Sequence, residues 1–117
     1  RLRDLSRAAL ATQDRSTGRV LFESAAKGGA QAGGRHCGVI EAGFWADLLG
    51  LDDDNQWLCN RQRDASIDSL IFGGGGQACI SDVWSAGRHV VQQGRHFRRD
   101  AILNTFKTTM SQLETNI

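Results

Sequence analysis

The sequence predicts an α+β fragment, with helices at both ends and a small sheet that lacks a covering layer. Three observations predict it. Apolar residues recur at helical spacing near both ends, short apolar runs broken by glycine fill the middle, and neither βαβ alternation nor an internal repeat is present. The order is helix, helix, strands, short helix, hairpin, helix. About four short strands make half a sheet, and two helices rich in alanine and glycine do not bury both of its faces.

The elements follow in order. Leu2, Leu5, Ala9 and Leu10 hold helical spacing over residues 1 to about 12, and "TQDRSTG" (12–18) interrupts it. Ser16 or Thr17 caps a second helix over 19–34, with Leu21, Ala25, Ala26 and Ala32 on its pattern. Gly28 and Gly29 fall inside this pattern. Each costs roughly 1 kcal/mol against alanine in a helix. Either a neighbour packs close against the helix there, or the helix stops at Gly28.

Past Gly34 the texture changes. Val39-Ile40 and Ala46 to Leu51 read as two short strands joined by a turn, and "DDDNQ" (52–56) as a polar loop. "WLCNRQRD" (57–64) is ambiguous. "ASIDSLIF" (65–72) fits two helical turns, capped by Asp64 and stopped by Gly73. "GGGG" (73–76) is a flexible connector into a hairpin, Ala78 to Ser85 and His89 to Gln93, turning at Ala86-Gly87-Arg88. Ile102, Phe106, Met110, Leu113 and Ile117 form one apolar stripe on a helix of about 97–116.

The 117 residues suit one domain. A net charge of +1 gives no electrostatic case for nucleic acid or membrane, and no apolar run reaches ~18 residues. The arginines at 1, 3 and 7 and at 95, 98 and 99 read as solvated helix faces, because aromatic residues are sparse among them. Three cysteines 22 and 20 residues apart argue for a reducing cytoplasm rather than a disulfide scaffold. A start at Arg1 without Met or leader, straight into a helical pattern, is the expectation for an excised piece.

Each chemistry-bearing group has a bland reading. His36, Cys37, Cys59, Cys79, His89 and His96 lack the close ligand pairs of structural zinc sites, so they read as buried cysteines and surface histidines. Cys37 beside His36 hints at a nucleophile, but sequence neighbours usually point apart. "GGGGQ" lacks the lysine and hydroxyl of a phosphate loop and follows a helix. Asp47 and Asp68, set in apolar runs, read as anchors that accept backbone N–H bonds. "LDDDN" (51–55) lacks the twelve-residue calcium-loop pattern and reads as a solvated loop. No catalytic, cofactor-binding or metal-binding residue is assigned.

Taken together, "GVIEAGFWADLLGLD", "IDSLIF" and "ISDVWSAGRHVVQQGRH" resemble the C-terminal end of the metal-dependent amidohydrolase superfamily. Within it, "GRVLFESAAKGGAQAGGRHCGVIEAG" is similar to the formimidoylglutamate deiminase family, and its "GGAQA" separates it from guanine deaminase- and chlorohydrolase-like relatives. The resemblance covers residues 1 to about 97. Phe44-Trp45 departs from the family's small or basic pair, and 98–117 lie outside the resemblance.

The resemblance implies a division of the chain. Residues 1–34 are closing helices of a (β/α)8 barrel, 35–97 the C-terminal half of a small β-sandwich built from both ends of the parent chain, and 98–117 a C-terminal helix. It also implies a cytoplasmic parent enzyme that hydrolyses N-formimino-L-glutamate to N-formyl-L-glutamate and ammonia in histidine breakdown. One divalent metal, zinc, would activate water there. Its ligands, an H-x-H pair, a further histidine and an aspartate, would precede this segment, so none is carried over. The implied partners are the rest of the amidohydrolase chain, a small-molecule substrate and a second copy as a homodimer. The alternatives are another amidohydrolase, guanine deaminase- or chlorohydrolase-like, and, outside the superfamily, an independent small β-rich binding module.

Overall fold

The computed structural model describes residues 12–117. Among these described residues, three helices, α1 (Thr17–Ala32), α2 (Asp64–Phe72) and α3 (Arg99–Thr115), accompany four strands, β1 (Leu48–Leu51), β2 (Ile80–Ser85), β3 (Arg88–Gln92) and β4 (Arg95–His96). The strands form one antiparallel sheet in the order β1-β2-β3-β4. The expected α+β composition is present. The helix expected over 1–12 lies, apart from Thr12, outside the described residues.

Ser16 caps α1 in extended conformation, and its hydroxyl accepts from the Arg19 N–H at 3.2 Å. At the other end Gly34 takes φ +61°, the Gly34 N–H reaches Gln31 O, and the Arg35 N–H reaches Ala30 O. These two bonds satisfy carbonyls that the end of a helix leaves orphaned. The helix therefore runs straight through Gly28 and Gly29 rather than stopping there. Among the described residues no neighbour packs against them, since a Cβ at either would meet nothing within 4 Å.

Val39-Ile40 is not a strand. Gly38 (φ +95°) and Gly43 (φ +92°) bend the chain on both sides, and Ile40 is 90% exposed. The segment crosses the end of α1 so closely that a Cβ on Gly38 would lie 2.8 Å from Ala26 O. The fourth strand is instead β4. It forms because Gln93 (φ 50°) and Gly94 (φ 73°) turn the chain in two residues, as Ala86 (φ 52°) and Gly87 (φ 77°) do between β2 and β3. Positive φ at both central residues matches the twist of flanking strands. Arg88 therefore belongs to β3, opposite Ser85, and not to the turn.

Helix α2 begins at Asp64 rather than after it. Arg63 takes the cap position at φ 52°, ψ −129° with no side-chain cap bond. The Asp64 carboxylate is engaged elsewhere, on α1. The four-glycine stretch is not a free connector. Gly76 opens a short 3₁₀ turn (Gly76–Cys79), and Gly75 is wedged so that a Cβ would lie 2.5 Å from Cys79 Sγ and 2.7 Å from the Trp57 ring.

Burial is sparse. Among the described residues only Leu58, Cys79, Thr17 and Gly18 are buried. Every residue of α3 is exposed, its apolar stripe included. The radius of gyration is 18.0 Å, against about 13 Å for a compact domain of this length.

Candidate functional site

Two carboxylate ties hold the described fold across long sequence distances. In the first, α2 grips the start of α1. Asp68 Oδ1 accepts from the Gly18 N–H at 2.8 Å and the Ser16 hydroxyl at 2.9 Å. Asp64 Oδ2 accepts from the Ser16 N–H at 2.9 Å, and Asp64 Oδ1 pairs with Arg19 at 3.3 Å. A negative charge over the first N–H groups of a helix is where the helix dipole favours it. Gly18 is obligatory here, since a Cβ would overlap the Asp68 carboxylate.

In the second tie, Asp47 takes the Arg35 guanidinium on both oxygens and the Ala86 N–H at 2.7 Å. It joins the end of α1 to the β2–β3 turn. The Arg35 guanidinium, and after it the Ala86 N–H, hold the Asp47 carboxyl well below the usual carboxylate range. Arg35 also lies 5.2 Å from the Trp45 ring centroid, in cation–π contact. Asp47 and Asp68 are thus anchors bound to backbone N–H groups.

A third cluster lies on the sheet. His89 Nε2 is 2.8 Å from Asp82 Oδ1, and the imidazole stacks on Trp84 with centroids 4.5 Å apart. The Ser81 hydroxyl first, then His89, lower the Asp82 carboxyl below its ordinary value. A histidine oriented by a carboxylate is half of a nucleophilic arrangement. No hydroxyl or thiol of a described residue bonds this histidine, so the pair is an orienting contact without a nucleophile.

The remaining histidines and cysteines scatter. His36 stacks on Phe44 at 3.9 Å, and His96 Nδ1 accepts from the Arg98 N–H at 3.1 Å. Cys79 is buried, Cys37 is half-buried and Cys59 is exposed. The expectation of buried cysteines therefore holds for Cys79 and fails for Cys59, which sits on an outward turn and contacts Gln56 O at 3.5 Å. Arg95, Arg98 and Arg99 are exposed, and Arg95 pairs with Asp100 at 3.1 Å.

Among the described residues, Asp52, Asp53 and Asp54 are the one group of three or more possible metal ligands within 4.8 Å of one another. Asp52 Oδ1 accepts from the Asp54 N–H at 3.0 Å, which makes the cluster a polar turn. Three carboxylates of one exposed turn do not fit the histidine-rich donor set of a catalytic zinc.

No protein-family model matches the chain. A formimidoylglutamate deiminase from Pseudomonas aeruginosa is 38% identical over 114 residues, which is 97% of this chain and 25% of that protein. A crystal structure of an amidohydrolase from Brucella melitensis superposes with a TM-score of 0.75 at 35% identity, over 97% of this chain and 24% of that one. This chain is similar to amidohydrolases over nearly its whole length. It spans about a quarter of the length of the relatives it matches.

The amidohydrolase likeness extends past residue 97 and takes in most of α3, which the sequence motifs alone left out. Sequence reading singled out Asp47 and Asp68 but missed their partners. Arg35 stands twelve residues before Asp47 and Ser16 stands 52 before Asp68. The hint available was Ser16 itself, a cap residue facing an aspartate-rich helix.

Proposed function

We propose that these residues form the C-terminal scaffold of a metal-dependent hydrolase acting on non-peptide C–N bonds, and that the chemistry belongs to a portion outside them. The observation that carries the reading is a mismatch of scale. The likeness spans 97% of this chain but only a quarter of each relative. The exposure of Leu21, Phe22, Val39, Trp45, Trp57 and Phe97 supports it, since apolar surface of that extent calls for a covering layer. Residues 1–34 then close a (β/α)8 barrel, 35–97 complete a composite β-sandwich and 98–117 form the terminal helix.

The substrate favoured by the named relative is N-formimino-L-glutamate. One water adds across its formimino carbon, giving N-formyl-L-glutamate and ammonia in a cytoplasmic step of histidine breakdown. A single divalent metal, zinc, supplies the activated water from the catalytic portion. The role of this chain is structural. Asp64, Asp68 and Asp47 hold α1, α2 and the sheet in one arrangement against which that portion packs.

The test is to incubate the purified 117-residue chain with zinc and N-formimino-L-glutamate and measure ammonia. No turnover is expected, and measurable turnover would falsify the assignment of the chemistry to another portion. A second arm grafts the chain into the Pseudomonas aeruginosa deiminase in place of its matching quarter. The graft is expected to release ammonia, and a soluble, folded graft without activity would count against the scaffold role.

A further inference from the structure

We draw no further inference here: the strongest candidate, the unpartnered apolar stripe on α3 formed by Ile102, Phe106, Met110 and Leu113, carries nothing because nothing in the structure shows what covers it.

Discussion

Arg35 and Asp47 meet through two parallel bonds, Nε to Oδ2 at 2.5 Å and Nη2 to Oδ1 at 2.9 Å. A planar guanidinium facing a carboxylate in this way gains direction as well as charge. The same Oδ1 accepts the Ala86 N–H, so one side chain fixes a helix end and a hairpin turn together.

Stability at low pH follows from that geometry. The Arg35 guanidinium, and after it the Ala86 N–H, keep the folded Asp47 carboxyl below the ordinary carboxylate range. A depressed carboxyl contributes stability that is fully present above the unfolded value and lost as pH falls through the folded one. Protection of the Ala86 amide, taken relative to its intrinsic exchange at each pH, should therefore hold down to about pH 4 and fall below it. In Asp47→Asn the acid-dependent loss of protection at Ala86 should disappear, with protection already lower than the parent's above about pH 4. An unchanged pH profile in the variant would show that Asp47 does not control this turn.

The α1–α2 tie yields a second expectation. Asp68→Ala strands the Gly18 N–H, a donor on a buried residue, at a cost of about 1–3 kcal/mol. Asp68→Asn keeps one acceptor and should recover part of that. Protection of the first-turn amides of α1 should fall by roughly one to two orders of magnitude in the alanine variant. Equal protection in both variants and the parent would leave the tie without a role.

How much of this was legible in the sequence depends on range. Ser16 as a cap, Gly73 as a stop and the Ala86-Gly87 turn are local signals, and the chain obeys them. The Val39-Ile40 strand failed because its two glycines take positive φ, which periodicity does not encode. β4 was missed because two residues after a turn are too few to show alternation. Asp64 was misread as a cap because its carboxylate bonds Ser16, 48 residues earlier, and no local rule reports such a contact. The family motifs, by contrast, were readable, since they record side-chain identity rather than contact. The paucity of buried residues agrees with the half-sheet inferred from element counting.

Arg63 offers a stabilising substitution. At φ 52°, ψ −129° it occupies backbone space that favours glycine, and it makes no cap bond. Such strain costs of order 1–3 kcal/mol. Arg63→Gly should recover about 1 kcal/mol after the greater entropy of an unfolded glycine is set against the relief. Slower amide exchange across α2 would register it. Faster exchange would mean that the Arg63 side chain contributes more than its backbone costs.

Exposed apolar surface sets the last expectation. On α3, Phe106 is 59% exposed and Met110 46%, on one stripe of a helix whose every residue faces outward. Surface of this kind binds hydrophobic dyes and drives association in a chain lacking its cover. The isolated 117 residues should bind anilinonaphthalene sulfonate strongly and elute above monomer mass. Phe106→Glu with Met110→Glu should cut both, while Thr108→Glu, on the polar side of the same helix, should change neither. If the double variant binds dye as the parent does, the uncovered surface lies on α1 and the sheet instead. Leu21, Phe22 and Leu49 would then be the next residues to charge.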